Sequence, residues 1–85
     1  MLLRAVLRCF YNADFDKIYV KLMDDNLLKS NTEIFLFDQL GRVLVQKPLI
    51  SNTETLSCAN YTKGIYLLYI VSSGAVFDSR KIFIK

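Results

Sequence analysis

Apolar residues recur at every second position along most of the chain, and a period of two belongs to strands, not helices. Ile18, Val20 and Leu22 alternate with Tyr19, Lys21 and Met23, the pattern of a strand with one wet or half-wet face. Thr32 to Phe37 reads Thr-Glu-Ile-Phe-Leu-Phe, enriched in the aromatic and branched side chains that fit a pleated surface. No segment sustains a helical period, and no internal repeat is visible. The chain is expected to be all-β.

Turn formers divide it into six or seven short strands. Asp24-Asp25-Asn26 and Lys29-Ser30-Asn31 supply one connection, with Leu27 and Leu28 between them expected to plug the end of the core. Asp38-Gln39-Leu40-Gly41 has Asp leading and Gly closing, which is type I turn chemistry. It joins Thr32–Phe37 to a return strand from Arg42 to Lys47, ended by Pro48, which has no N–H for a ladder bond. Thr53 to Cys58 forms a short strand with Leu56 inward, and Ala59 to Gly64 a loop. Ile65 to Val71 is the most apolar strand, expected to be central and buried on both faces. Ser72-Ser73-Gly74 then turns the chain into a last strand made of Ala75–Phe77 and Arg80–Ile84. Strands recurring every 8 to 12 residues or so fit a sandwich or barrel, and short strands need a second sheet to cover their apolar faces. A two-sheet antiparallel sandwich follows.

At 85 residues, 53% of them hydrophobic and 22% charged, the chain makes one globular domain. Its longest strictly apolar stretch, Ile65 to Val71, falls far short of the roughly 20 residues of a membrane-spanning helix. There is no histidine, which removes the commonest general base and metal ligand and every Ser-His-Asp or Cys-His arrangement. Cys9 and Cys58 are too few for a zinc site; one disulfide is open to them but the spacing does not demand it, and buried or half-buried free thiols on strands are expected. Asp14 with Asp16, and Asp24 with Asp25, read as turn formers, since neither pair carries the Gly and distal Glu of a calcium loop. Gly41 and Gly64 belong to no phosphate-cradling run and suit tight turns. No cofactor, metal or catalytic residue is therefore expected. The net charge of +3 is mild and is no nucleic-acid signature. Met1 to Phe10 looks briefly like a signal peptide, but Arg4 and Arg8 break it and no small-residue cleavage site follows. Residues 1–8 are read as incidental and residues 9–85 as the domain, with no evident export signal.

Three segments then resemble a known family, the C-terminal sorting domain of type IX secretion cargo proteins in Bacteroidetes-type bacteria. Ile34-Phe35-Leu36-Phe37-Asp38-Gln39-Leu40-Gly41-Arg42-Val43 matches its strand-Asp-x-x-Gly-Arg hairpin, with Asp38, Gly41 and Arg42 as the motif residues. Leu56 to Leu68 resembles its Leu-strand, loop and Gly-x-Tyr strand, and Arg80-Lys81-Ile82-Phe83-Ile84-Lys85 its basic final strand. The resemblance runs from about Cys9 to Lys85. Near its start the family has an aromatic-Pro-Asn-Pro stretch, whereas Phe10-Tyr11-Asn12-Ala13-Asp14-Phe15-Asp16-Lys17 keeps the aromatic, Asn, Asp and Lys without either proline. Their loss is expected to loosen the opening strand.

The resemblance implies an immunoglobulin-like antiparallel β-sandwich of about seven short strands that acts as an address, not an enzyme. In the family the domain follows a cargo protein, is recognised by the outer-membrane translocon, and is commonly cleaved off by a sortase-like peptidase. The cargo is then released or attached at the cell surface. The residues expected to be recognised are Gly64, Ile65, Tyr66, Arg80, Lys81, Ile82, Ile84 and Lys85. Bland readings stand beside these: Tyr66 as core, and Arg80, Lys81 and Lys85 as a basic edge that discourages aggregation. The alternative function is a small carbohydrate- or protein-binding adhesion module using Tyr61, Tyr69 and the loops. A five-stranded barrel for single-stranded nucleic acid is a further rival, disfavoured by the mild charge.

Overall fold

The computed structural model describes residues 7–23 and 31–85. Seven strands follow in chain order: β1 (Leu7–Asn12), β2 (Lys17–Leu22), β3 (Thr32–Phe37), β4 (Val43–Pro48), β5 (Thr53–Ser57), β6 (Gly64–Ser72) and β7 (Ala75–Ile84). They form an antiparallel three-stranded sheet of order β1-β2-β5 and an antiparallel four-stranded sheet of order β4-β3-β6-β7. The described chain is all-β, and the two sheets make a sandwich. Strands one, two and five facing strands three, six and seven is the immunoglobulin-like arrangement. The expected plug at Leu27 and Leu28, with its flanking turn formers Asp24 to Ser30, lies outside the described residues.

Alternation decides which side chains meet between the layers. Ile18, Val20 and Leu22 from β2 meet Ile34 and Leu36 from β3, Leu68 and Ile70 from β6, and Ile82 and Ile84 from β7. Ile18, Ile34, Leu36, Leu68 and Ile70 have no exposed surface at all. Burying each such side chain stabilises the fold by about 1.5–3 kcal/mol. Leu7, 1% exposed, belongs to this core as well. Both Leu7 and Arg8 lie in β1, two residues ahead of the boundary expected at Cys9. β1 pairs with β2 along its whole length despite the missing prolines. Asn12 supplies local order there, its Oδ1 accepting from the backbone N–H groups of Asp14 and Phe15.

The turns follow their sequence chemistry. Asp38 and Arg42 close a three-residue hairpin loop in which Gly41 N–H donates to the Asp38 carbonyl and Gly41 sits at φ 81°. That is a type I turn continued by a left-handed residue, and glycine takes the left-handed position without steric cost. The next pairings skip Leu44, a bulge that sharpens the bend between β3 and β4. Pro48 is the last residue of β4 and pairs with Glu33 on an edge strand, where a missing N–H costs no ladder bond. Ser73 and Gly74, both at positive φ, form the two-residue turn into β7.

β6 departs from expectation. It is central, between β3 and β7, but only one face is buried. Tyr66, Leu68, Ile70 and Ser72 point into the core, while Ile65 is 37% exposed and Leu67, Tyr69 and Val71 are half-buried on the outside. Seven consecutive apolar residues predict a cover on both sides, and the domain supplies one layer.

Candidate recognition surface

The antiparallel register of β6 and β7 sets Gly64 opposite Ile84, Ile65 opposite Phe83, Tyr66 opposite Ile82, Leu67 opposite Lys81 and Leu68 opposite Arg80. The two segments expected to be recognised, distant in sequence, therefore lie side by side. The Asp38–Arg42 turn joins them at the same end of the sheet. Phe37 pairs with Leu67, and a Cβ placed on Gly64 would come within 2.5 Å of Gln39 Nε2. Gly64 sits at φ 150°, a conformation side chains rarely adopt.

These residues divide by burial into two groups. Tyr66, Ile82 and Ile84 are 4–6% exposed and face the core. The hydroxyl of Tyr66 donates to the Thr62 carbonyl at 2.6 Å, four residues upstream, and its ring stacks on Tyr61 at 5.5 Å. A tyrosine near the start of the sixth strand bonding back to its own loop is the tyrosine corner of immunoglobulin-like sandwiches. The Gly-x-Tyr segment thus anchors the β5–β6 loop. Arg80 is half-buried and also braces the fold: Nη1 donates to Asp78 Oδ1, and Nη2 reaches the Leu7 carbonyl on β1 at 2.8 Å.

Ile65, Lys81 and Lys85 remain exposed. Lys81 and Lys85 have no ion-pair partner among the described residues. Between the β7 edge and β1 runs a groove of about 460 Å³, lined by Cys9, Phe10, Tyr11, Arg80, Phe83 and Lys85 among others. Sequence reasoning missed Phe83, 55% exposed in the same strand as the two lysines. Its outward direction shows in the alternation with buried Ile82 and Ile84. Around it, Phe35, Phe37, Leu67, Tyr69 and Val71 extend an apolar outer face over the four-stranded sheet, with Phe37 edge-on to Tyr69 at 5.2 Å. Contiguous exposed apolar surface on a small domain marks an interaction site.

Cys9 and Cys58 are both free. Burial pushes both thiols up, against a smaller opposing pull from Arg80 on Cys9 and from Lys17 on Cys58. Both stay protonated at neutral pH and make poor nucleophiles. Burial likewise raises the Tyr61 phenol. Among the described residues no group of three metal-ligating side chains comes together.

The model of the secretion-system C-terminal sorting domain matches residues 12–85. This chain belongs to that family, the sorting domain of type IX secretion. No curated protein and no solved structure matches the chain. The sorting domain's matched region takes in all three motif segments and every residue of the surface just described except those of β1 ahead of Asn12. Membership supports a role as a secretion sorting signal for a secreted or cell-surface cargo, in a family not known for enzymatic activity.

Proposed function

We propose that the domain directs an attached cargo protein through the type IX outer-membrane translocon, for release or attachment at the surface. The translocon reads the outer end of β6 and β7. The observation that carries this reading is the edge position of β7: its Arg80–Lys85 segment borders an open groove and presents Lys81, Phe83 and Lys85 outward. An edge strand offers unpaired backbone N–H and C=O groups to a partner strand, and its alternate side chains give specificity. Gly64, Tyr66, Arg80, Ile82 and Ile84 serve recognition indirectly, by holding that edge in place. Asp38, Gly41 and Arg42 shape the neighbouring turn. The sortase-like peptidase acts on the junction with the cargo after delivery.

A fusion places the 85-residue chain behind an export signal and a fluorescent reporter in a bacterium with type IX secretion. Surface-exposed reporter is expected, and retention in the periplasm would overturn the sorting role. The double variant Lys81→Glu/Lys85→Glu is expected to lose most of the surface signal while keeping the wild-type unfolding midpoint. Undiminished delivery by that variant would exclude the β7 edge as the surface that is read.

A further inference from the structure

The outer face of the three-stranded sheet has a different chemistry, and it shares only Phe10 with the groove beside β7. Its three strands are in register, so residues line up in rows across the sheet. Arg8, Lys21 and Thr53 form one row, Phe10, Tyr19 and Thr55 the next, and Asn12, Lys17 and Ser57 the third. Successive rows lie about 6.7 Å apart, twice the rise of a strand residue. The charged side chains of this face, Arg8, Lys17 and Lys21, are all cations, and none has an ion-pair partner among the described residues. The one acid in these rows' strands, Glu54, turns to the core side and is held by Lys47 Nζ at 3.1 Å. Asp14 and Asp16 sit in the β1–β2 turn beside Lys17, at the opposite end from Arg8 and Lys21.

The middle row supplies an aromatic wall. Phe10 and Tyr19 stack with centroids 5.0 Å apart, and Phe10 remains 60% exposed. Arg8, Phe10, Tyr19, Lys21, Thr53 and Thr55 line a single groove of about 410 Å³, together with Val20 and with Glu54, whose carboxylate is held by Lys47. Cations at one end, ring surface in the middle and a ladder of hydroxyls along β5 are complementary to an acidic sugar. Its carboxylate pairs with Arg8 and Lys21, the apolar face of its ring lies against Phe10 and Tyr19, and its hydroxyls bond to Thr53 and Thr55. Guanidinium-to-carboxylate bonds are the strong members of that set. A nucleic-acid strand fits less well, because successive bases need separate ring platforms and here the two rings stack on each other.

We propose that this face binds an acidic polysaccharide, one whose repeating units carry carboxylates. This goes beyond the sorting role and does not rest on it. The test is calorimetric titration of the whole chain with three probes: a hexameric polyuronate, neutral maltohexaose and a six-nucleotide oligothymidylate. Saturable polyuronate binding is expected, weakened by added salt because exposed charges are screened, with none for maltohexaose. Arg8→Ser/Lys21→Ser and, separately, Tyr19→Ala are each expected to weaken it by about tenfold, the equivalent of about 1.4 kcal/mol. Lys81→Ser/Lys85→Ser, on the other sheet, should leave affinity within about twofold, as for distant independent sites. Circular dichroism verifies that each variant is folded. The proposal is overturned by no polyuronate binding, by equal loss in the Lys81/Lys85 variant, by insensitivity to Tyr19→Ala, or by tighter binding of the oligothymidylate.

Discussion

The two outer faces of the sandwich share one core and differ in almost everything else. On the three-stranded sheet, β2 alternates cleanly: Ile18, Val20 and Leu22 are buried, while Lys17, Tyr19 and Lys21 face outward. On the four-stranded sheet, β6 buries Tyr66, Leu68 and Ile70 yet carries Ile65, Leu67, Tyr69 and Val71 on the other side. Antiparallel sheets commonly keep one face on the core and one in water, with apolar-in, polar-out alternation. The basic face obeys that rule and the apolar face breaks it. Core packing needs only every second residue of β6 and so does not account for the remaining apolar side chains. A hydrophobic run too apolar for its position in the fold is thus itself a sign of an interaction surface.

The harshest way to break the comparison is to remove what the faces share. Leu36 is fully buried between the layers. Leu36→Ala is expected to cost about 2–5 kcal/mol through lost transfer energy and the cavity left behind. A domain of this length holds roughly 4–13 kcal/mol in total, so both delivery and polyuronate binding should fall together. Urea denaturation measures the loss. A shift below about 1 kcal/mol would mean that the site collapses around the missing atoms and that the two sheets are less tightly coupled than their packing indicates.

A cross-over experiment sharpens it next. Phe83→Lys alters the apolar face and Lys21→Ser the basic one, and exposed substitutions away from special features stay within about 0.5 kcal/mol of wild type. Phe83→Lys is expected to abolish surface delivery of a fused reporter while leaving polyuronate affinity unchanged. Lys21→Ser should leave delivery unchanged and weaken polyuronate binding, by less than the roughly tenfold expected when Arg8 is removed with it. If either variant impairs both readouts, the faces are not independent.

How much of this was open to sequence reasoning follows the reach of the relevant contacts. β2, β3 and the Asp38–Gly41 turn are set by residues within a few positions of one another, and their presence was legible from period and turn chemistry. So was the seven-strand sandwich, because strands this short need a second layer. The one-sided burial of β6 was hidden, since an apolar run does not say whether one cover or two will be present. The strap from Arg80 to the Leu7 carbonyl spans 73 positions and has no local signature, so Arg80 looked like a free surface charge. The rows of the basic face were hidden for the same reason: Arg8, Tyr19 and Thr55 become neighbours only once β1, β2 and β5 are known to lie in that order.

Tyr66 tests the division between holding a surface and being read. Tyr66→Phe keeps the ring stacked on Tyr61 and deletes the hydroxyl that donates to Thr62. The expected cost is about 1 kcal/mol, the net worth of one hydrogen bond, seen as a lower midpoint in urea with unchanged slope. Reporter delivery at a temperature where the variant remains folded should match wild type. A delivery defect in a fully folded variant would instead put the phenol hydroxyl in direct contact with the translocon.

The smallest effect belongs to the turn beside the apolar face. Partial burial in the turn raises the Asp38 carboxyl, but hydrogen bonds outweigh it: Arg42 N–H and Nε and Leu40 N–H all donate to it, at 3.0, 2.6 and 2.9 Å, and the Arg42 charge adds to them. The net shift is downward from the ordinary aspartate range. Because its value in the folded chain lies below that in the unfolded chain, the carboxylate's stabilisation is complete above the unfolded value, about 3.9. It disappears as pH falls through the folded one. Arg42 is 71% exposed, so salt screens its part of the interaction and the whole effect is slight. Wild type is expected to be more stable than Asp38→Asn at pH 7, with the difference closing below about pH 4. Parallel stability curves for Asp38→Asn and wild type down to pH 2 or so would mean that the turn is held by Gly41 and its bulge alone.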